Sequence, residues 1–329
     1  MRQHFVRLLA VLALPLLLAG AASSAGFVWA RGNLHTHTTN SDGDSAPDVV
    51  VEWYKSNGYQ FLVISDHWKV TDPAPLDKPG DDFVLIPGEE TGVKGAPKPI
   101  HGNAIGVSRI VGGAQYAGSP AKSLSKMVQQ IRAAGGVPQV NHPNFRWSFG
   151  YRELRGLKGP YLLEVYNGNP SVNNHGSEAV MSVEQVWDML LSDGIEVYAT
   201  ATDDAHAFKE MAANKSNPGR GWICARVPTP SAENILDALR RGDFYASTGV
   251  ELADCSFEGN TMRVQVAPKV GLKYWIRFVG KWGRILQEST GASAVYTAAG
   301  KREKNDYVRC KVIASDETVA WTQAYRPGR

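Results

Sequence analysis

The sequence predicts an α/β fold in which a barrel of alternating strands and helices precedes a small all-β domain. Short apolar runs alternate with amphipathic segments from residue 28 to about residue 227. The apolar runs are continuous, as in parallel strands covered on both faces. After residue 250 the pattern changes to short alternating runs between Gly, Asn and Asp turns. Seven or so strand–helix units favour a distorted, TIM-like (β/α)7 barrel over an open sheet.

The first 25 residues have the pattern of a secretory signal peptide. Arg2 and Arg7 precede an apolar stretch from Leu8 to Gly20, and small residues follow up to Ala25. This stretch is shorter than the roughly 20 residues that a spanning helix needs, so we expect cleavage and no stable membrane anchor. The prediction is an exported protein, periplasmic or extracellular, with a barrel domain over residues 26–250 and a β-rich domain over 251–329.

Each element of the barrel has a local signal. Ser119 before Pro120 predicts a capped start for the helix Pro120–Ala134, and Gly135 predicts its end. Ser182 with Gln185 fits a capping box at the start of the helix Val183–Ser192. The predicted strands are Val28–Leu34, Phe61–Ser65, Phe83–Pro87, Asn103–Val107, Gly136–Val140, Tyr161–Val165 and Val197–Thr202, with Trp222–Val227 as an eighth candidate. The predicted helices are Pro47–Asn57, Pro120–Ala134, Val183–Ser192 and Ser231–Arg241. The later β runs are Met262–Ala267, Tyr274–Val279, Ala294–Thr297, Tyr307–Ala314 and Thr318–Ala324.

Charge and cysteine content exclude some classes of protein. The chain has 35 basic and 32 acidic residues, and it shows no basic stripe. A nucleic-acid partner is therefore disfavoured, and a small-molecule substrate is expected. The three cysteines lack zinc-ribbon spacing. Cys255 with Cys310 is the one disulfide that an oxidising compartment suggests, and Cys224 in an apolar run is expected to be buried.

Six of the eight histidines lie in acid-and-imidazole clusters, and most of these clusters close a predicted strand. The carboxyl ends of parallel strands meet at one rim, so these side chains should converge. His101 precedes or lies on its strand, and its placement is the least defined. Imidazole and carboxylate groups are ligands of zinc, manganese and iron, and their number suits two or three divalent ions. The nine candidate ligands are His35, His37, Asp42, His67, Glu90, His101, His142, Asp204 and His206.

These clusters resemble the successive motifs of the polymerase and histidinol phosphatase (PHP) superfamily, in the superfamily's order. The motifs here are Leu34–Thr38, Ser41–Gly43, Ser65–His67, Gly88–Glu90, Asn141–Pro143 and Asp204–His206. The stretches Glu164–Gly168, His101–Asn103 and Phe244–Gly249 further resemble a branch that includes carbaryl hydrolases. The resemblance implies a distorted seven-stranded (β/α) barrel with a trinuclear site of zinc, manganese or iron.

The resemblance also implies roles for individual residues. His35, His37, Glu90 and Asp204 would serve the first ion, with Glu90 bridging, and the remaining candidates would complete the others. The motif favours Glu90 over Glu89 and Asp204 over Asp203 as ligands. Asp66 is expected to orient an imidazole. The partition of ligands among the ions stays open.

The expected activity is that of a metal-dependent hydrolase, a phosphoesterase of class EC 3.1 acting on a small molecule. A metal-bridged hydroxide would be the nucleophile, and Asp204 or His206 would move the proton. Arg146 and Lys69 are the candidate substrate-binding residues, and Lys209 is a further cation near the site. Trp68, Trp147 and Phe149 are candidates to line the pocket, whereas His175 is not expected to bind metal.

Several alternatives remain open at this point. The carbaryl-hydrolase resemblance suggests hydrolysis of a carbamate, ester or amide. A 5'-3' exonuclease or nucleotide phosphatase would fit the superfamily, although the near-neutral charge disfavours it. A non-catalytic, metal-dependent binding protein would keep the same ligands. A barrel with buried polar residues and no cation is disfavoured, because desolvating so many charged groups is costly.

Overall fold

A computed structural model describes residues 26–78, 80, 82–299 and 305–326, so the expected signal peptide lies outside the described part of the chain. The strands before residue 250 are β1 (Val28–Asn33), β2 (Phe61–Ile64), β3 (Val84–Lys94), β4 (His101–Ile105), β5 (Ala114–Gln115), β6 (Val137–Val140), β7 (Tyr161–Asn167), β8 (Val197–Thr202), β9 (Trp222–Val227) and β10 (Phe244–Ser247). The helices are α1 (Pro47–Ser56), α2 (Pro120–Ala133), α3 (Tyr151–Leu154), α4 (Val183–Ser192) and α5 (Ala232–Arg241).

The remaining strands are β11 (Leu252–Glu258), β12 (Thr261–Val266), β13 (Tyr274–Gly280), β14 (Arg284–Thr290), β15 (Ser293–Thr297), β16 (Arg309–Ala314) and β17 (Val319–Thr322). A short 3-10 turn, Lys281–Gly283, separates β13 from β14. Helix starts follow the predicted signals: Ser119 and Ser182 cap α2 and α4, and Gln185 completes a capping box with Ser182. The chain is thus a mixed α/β protein with few helices and one large sheet.

The main sheet is mixed rather than parallel. Its strand order is β14-β13-β16-β17-β10-β9-β1-β2-β3-β4-β6-β7-β8, and β5 pairs with β3. β1, β2 and β3 are parallel to one another, as are β6, β7 and β8. β4 runs antiparallel to both of its neighbours, and β9 and β10 are antiparallel as well. The expectation of an all-parallel sheet was therefore wrong.

The reason for the mixed sheet lies in the connections. A parallel neighbour needs a long crossover, usually a helix, whereas a short loop returns the chain antiparallel. Only residues 95–100 join β3 to β4, too few for a crossover, so β4 returns antiparallel to β3. The longer segment between Ile64 and Val84, whose described residues form no helix, allows β3 to lie parallel to β2. β8 at the far edge contacts β9 and β10, so this part of the sheet curls toward closure. The side chain of Gln323 reinforces that edge through hydrogen bonds of 2.8 Å to both backbone groups of Ala199.

The apolar core lies on both faces of the sheet. One cluster packs α2, α4 and α5 against the strands and includes Leu163, Trp187 and Leu190, all fully buried. A second cluster joins α1 and β2 to the C-terminal strands and includes Tyr54 and Phe278. Burying one such side chain stabilises the fold by about 1.5–3 kcal/mol. Together the two clusters hold the strand ends in fixed positions.

The residues after 250 form strands throughout the described part, as predicted. β11, β12 and β15 make a separate three-stranded sheet. β13, β14, β16 and β17 instead continue the main sheet, since β17 pairs with β10. Arg309 of β16 is buried and donates hydrogen bonds to Asp188 and Glu184 of α4. The C-terminal strands are thus bonded to the first 250 residues by backbone and side chains.

Cys224, Cys255 and Cys310 all carry free thiols, so the disulfide between Cys255 and Cys310 is not formed in this structure. Cys224 is buried, as expected for a small apolar residue. None of the helices in the described ranges combines the length and the apolar character that crossing a membrane requires.

Candidate metal centre

The candidate ligands converge at one rim of the main sheet. His35 and His37 follow β1, His67 follows β2, Glu90 lies in β3, His142 follows β6, and Asp204 and His206 follow β8. His101 is the first residue of β4. Because β4 is antiparallel to its neighbours, its amino end lies beside their carboxyl ends. The direction of β4 thus explains how His101, whose placement was uncertain from sequence, reaches the same rim.

Glu90 lies at the middle of the cluster and is contacted by five imidazoles. Its Oε2 atom lies 3.2 Å from His35 Nε2, 3.3 Å from His37 Nε2 and 3.2 Å from His67 Nδ1. Its Oε1 atom lies 3.3 Å from His101 Nδ1 and 3.2 Å from His142 Nε2. Each of the two carboxylate oxygens of Glu90 thus has at least two imidazole nitrogens within 3.3 Å.

Asp204 and Asp42 complete two further groups of ligand atoms. Asp204 Oδ1 lies 3.2 Å from both His35 Nε2 and His37 Nε2, which are 3.1 Å apart. Asp42 Oδ1 lies 3.4 Å from His206 Nε2. The nitrogen and oxygen donors form three overlapping groups, each with its atoms within 4.8 Å of one another: His35-His37-Glu90-Asp204, His67-Glu90-His101 and His37-Asp42-His67-His206.

The donor set fits divalent cations. The Nε2 atoms of His35 and His37 face each other and also face carboxylate oxygens of Glu90 and Asp204. A cation between these four atoms would stabilise the arrangement. Burial alone would raise the pKa of Glu90, but the charges of His35, His67 and His101 hold its pKa well below its usual range. Conversely, burial would lower the pKa of His37, but hydrogen bonds with Asp204 and Glu90 raise it to about 9. The buried carboxylates of the cluster are therefore stable only with positive charge beside them.

Asp66 does not orient an imidazole directly, contrary to expectation. It accepts hydrogen bonds from the Thr38 backbone N–H and hydroxyl at 2.8 Å each, from Ser41 at 2.8 Å and from Thr71 at 2.6 Å. These bonds fix the loop that carries Asp42. Gly43 lets this loop approach β1 closely, because a Cβ there would lie 2.6 Å from the His37 carbonyl oxygen.

The acidic neighbours of Glu90 and Asp204 lie outside the three groups. Glu89 accepts a hydrogen bond of 2.6 Å from the Val111 backbone N–H, and burial raises its pKa. Asp203 accepts hydrogen bonds from Asn33 at 2.6 Å and Tyr54 at 2.8 Å, and burial raises its pKa too. Glu90 and Asp204, and not these neighbours, thus belong to the groups that could hold an ion.

Sequence reasoning missed the residues that hold the ligands. Glu164 lies 2.6 Å from His35 Nδ1, and Asn141 donates hydrogen bonds to Glu90 at 2.9 Å and Asn103 at 2.8 Å. Glu164 and Asn141 lie in the motif stretches Glu164–Gly168 and Asn141–Pro143, but neither had a predicted role, and Glu164 also stands out as a charged residue inside the apolar run of β7. A cleft of about 220 Å³ opens onto the centre, and Phe145 and Asn169, also missed, line it beside the ligands.

The predicted substrate-binding residues lie outside this lining. Arg146 and Lys69 are exposed, and the Arg146 guanidinium carbon lies 5.5 Å from the centroid of the Phe145 ring. Trp68 and Trp147 are partly exposed, whereas Phe149 is buried in the core. His175 lines a different cavity, between the loop after β7 and the strands β16 and β17. The roles of Arg146 and Lys69 stay predictions.

The comparisons with known proteins give neighbours among solved structures. The chain is similar to solved PHP-like metal-dependent phosphoesterases. One is a two-domain protein from Bacteroides vulgatus that contains a predicted PHP-like metal-dependent phosphoesterase, at 16% identity over 92% of this chain and 96% of that chain, with a TM-score of 0.49. Another is a candidate metal-dependent phosphoesterase from Bifidobacterium adolescentis, at 14% identity over 64% and 94% of the two chains, with a TM-score of 0.39.

A third structure is an amidohydrolase from Chromobacterium violaceum with bound sulfate and no metal, at 15% identity over 57% of this chain and 94% of that chain, with a TM-score of 0.39. No family model matches the sequence, and neither does a curated protein. The carbaryl-hydrolase-like branch stays a prediction.

Proposed function

We propose that this chain is an exported, metal-dependent hydrolase that cleaves phosphoester bonds in a small molecule. The observation that carries the proposal is the ring of five imidazoles around the Glu90 carboxylate, within 3.3 Å, at the base of an open cleft. A purely structural role would not require so many buried titratable groups to converge on one point. The cleft gives a small molecule access to them.

The three groups of ligand atoms would hold two or three ions of zinc, manganese or iron. Divalent ions at such a site polarise a substrate oxygen and lower the pKa of water enough to provide a nucleophile near neutral pH. Glu90 belongs to two of the groups and, with two carboxylate oxygens, would serve both. His37 and His67 also belong to two groups each, but a neutral imidazole has one lone pair, so each would bind a single ion. A shared carboxylate would keep the ions close together, as hydrolysis at a multinuclear site requires.

His206 and Asp204 are the residues proposed to move protons. His206 Nδ1 lies 2.8 Å from the Asp204 carbonyl oxygen, so Nδ1 carries the hydrogen and Nε2 is left to face Asp42 and the cleft. His206 is partly exposed and lines the cleft, so its Nε2 would face a bound substrate whenever it is not bound to an ion. Asp204 holds its carboxylate between His35 and His37 and limits how far they can move.

If the centre holds three divalent ions, its charge favours a phosphoester over a neutral carbonyl substrate, whereas two ions would only neutralise the four acids. The centre has three carboxylates, Asp42, Glu90 and Asp204, with Glu164 behind them. Three divalent ions would leave this cluster positively charged even with all four acids ionised. A positive site at the bottom of a cleft attracts an anionic substrate and stabilises the charge that develops on phosphoryl oxygens.

The test is a substrate screen with the chain from residue 26 onward, supplied with Mn²⁺ or Zn²⁺. Aryl phosphates, phosphodiesters, aryl esters and carbamates are compared by kcat/KM, and metal content is measured on the same samples. We expect turnover to be highest on a phosphate ester. Faster turnover of an ester or carbamate would overturn the phosphoester assignment. Less than one ion per chain after reconstitution would overturn the multinuclear centre.

A further inference from the structure

β7 reaches the rim of the metal centre without supplying a candidate ligand. The strands on either side of it, β6 and β8, are followed by His142 and Asp204. What β7 places behind the centre is the carboxylate of Glu164, which has no exposed surface. A buried carboxylate is costly unless its oxygens accept hydrogen bonds, so the partners of Glu164 indicate what it does.

Glu164 accepts five hydrogen bonds. At Oε1 the donors are His35 Nδ1 at 2.6 Å, Thr202 Oγ1 at 2.7 Å and Gln139 Nε2 at 3.2 Å. At Oε2 they are the His142 backbone N–H at 2.8 Å and Asn167 Nδ2 at 3.0 Å. Two of these five donors belong to candidate ligands of the metal centre.

The contact with His35 fixes the tautomer of that imidazole. A carboxylate only accepts, so His35 Nδ1 must carry a hydrogen. In a neutral imidazole the other nitrogen then has a free lone pair, and His35 Nε2 is the atom that faces Glu90 and Asp204. A carboxylate behind a metal-binding histidine also makes the facing nitrogen a better donor to a cation.

The other oxygen of Glu164 acts on two further ligands. The bond to the His142 backbone N–H holds a residue whose φ is +27°, a left-handed conformation that a non-glycine residue adopts only when its surroundings fix it. Asn167 Nδ2 donates hydrogen bonds to Glu164 Oε2 at 3.0 Å and to Asp204 Oδ2 at 3.2 Å. One carboxylate therefore connects ligands that come from β1, β6 and β8.

We propose that Glu164 is the positioning residue of the metal centre: its carboxylate sets the tautomer of His35 and holds His142 and Asp204 in place for ion binding. This inference rests on the proposed metal centre. Glutamine cannot replace Glu164, because all five partners donate hydrogen bonds. Whichever oxygen became the amide NH₂ group, it would face at least two donors.

The test measures ion binding to the metal-free chain from residue 26 onward by chelator competition with Zn²⁺, and by absorption spectroscopy with Co²⁺. Glu164→Gln should weaken binding of the tightest ion by about 10- to 100-fold and shift the Co²⁺ spectrum. Glu89→Gln is the matched control, since Glu89 is also a buried acid beside a ligand but bonds to the Val111 backbone. It should bind ions like the wild type.

A milder pair of variants keeps the proposal testable if Glu164→Gln does not fold. Thr202→Val removes one donor to Glu164 with little change in volume, and we expect a few-fold loss of affinity. Thr200 is paired with Glu164 between β8 and β7, and its side chain donates to Gln139 at 3.1 Å, not to Glu164. Thr200→Val therefore removes a bond of the same kind without removing a donor to Glu164, so its affinity should not change. Wild-type affinity in folded Glu164→Gln or in Thr202→Val, or equal losses in the control variants, would overturn the role of Glu164. A wild-type chain that binds no ion would overturn the metal centre itself.

Discussion

Two candidate ligands adopt a backbone conformation that is unfavourable for their residue type. His142 has φ +27° and Asp204 has φ +49°, where a non-glycine residue costs about 1–3 kcal/mol. The His142 N–H donates to Glu164 at 2.8 Å, and the Asp204 N–H donates to the His35 carbonyl oxygen at 2.9 Å. These hydrogen bonds hold both residues in conformations that aim their side chains at the centre. Strain at the ligands is thus balanced by the bonds around them.

Replacing a central ligand should remove activity without unfolding the protein. His35 is fully buried and contacts Glu90 and Asp204. We expect His35→Ala to lose at least one ion per chain and all turnover, while circular dichroism stays that of the wild type. His175→Ala is the control, since His175 lines a different cavity, and it should retain its ion content and its turnover. Full turnover by His35→Ala would show that this cluster is not catalytic.

The close approach of the Asp42 loop to β1 gives a second prediction. Gly43→Ala would place a methyl group 2.6 Å from the His37 carbonyl oxygen, so the loop must move away from the centre. We expect about 1–3 kcal/mol of destabilisation, as for other overpacked positions, and weaker binding of the ion nearest Asp42. Urea unfolding and zinc titration measure the two effects. Gly150→Ala meets no atom within 4 Å and serves as the control.

At the scale of elements, the direction of β4 brings His101 to the metal centre. Ion pairs between α4 and β16 join the C-terminal strands to the first 250 residues. The antiparallel β4 brings its first residue to the rim, which a parallel strand would place at the opposite edge. α4 offers Asp188 and Glu184 to Arg309 of β16, with oxygen–nitrogen distances of 2.7–2.9 Å. Buried ion pairs of this kind are sensitive to the loss of one partner, because an unpaired charge is left behind.

Arg309→Met should therefore destabilise the fold strongly. Arg309 is 1% exposed, and its removal leaves Asp188 buried without a counter-charge. The expected loss is about 3–5 kcal/mol in the free energy of unfolding, measured by urea denaturation. Arg277→Met is the matched control, since its partner Glu288 is exposed and such surface pairs contribute less than about 1 kcal/mol. Equal losses in both variants would contradict a special role for the buried pair.

The ion pairs of Glu184 with Arg309 and Lys311 predict that the stability of the fold depends on pH. Burial would raise the pKa of Glu184, but the charges of Arg309 and Lys311 hold it below its usual value. A carboxyl with a lowered pKa in the folded state stabilises the fold above its unfolded pKa, and this contribution is lost as the pH falls through the folded pKa. In metal-free protein, Glu184→Gln should thus flatten the fall in urea stability below about pH 4. An unchanged acid profile would contradict this assignment.

At the scale of the whole molecule, sequence reasoning located strands and ligands better than it located their arrangement. Strand ends carry polar residues after apolar runs, and this local pattern placed His35, His67 and Asp204 at strand ends, where the structure has them. The direction of β4 depends on a connection without a helix, and the roles of Glu164 and Asn141 depend on contacts with residues far away in the chain. Local patterns contain no information on such contacts.

The continuation of the main sheet past β10 leads to a prediction about domain independence. A chain that ends at residue 250 would expose the edge of β10, where β17 pairs, and would leave Asp188 without Arg309. Unpaired sheet edges promote association between chains. We expect residues 26–250 alone to aggregate, whereas the chain from residue 26 to its end stays monodisperse in size-exclusion chromatography. A folded, soluble 26–250 fragment would support independent domains.

The three groups of ligand atoms differ in their access to solvent. All four residues of the His35-His37-Glu90-Asp204 group are buried, whereas the side chain of Asp42 in the group at the cleft mouth is 56% exposed. Ions at the buried position should therefore dissociate slowly, and the ion at the mouth should exchange quickly with its surroundings. The protein would then be isolated with its inner position filled and its outer one partly empty, so its activity would follow the free concentration of the more labile ion.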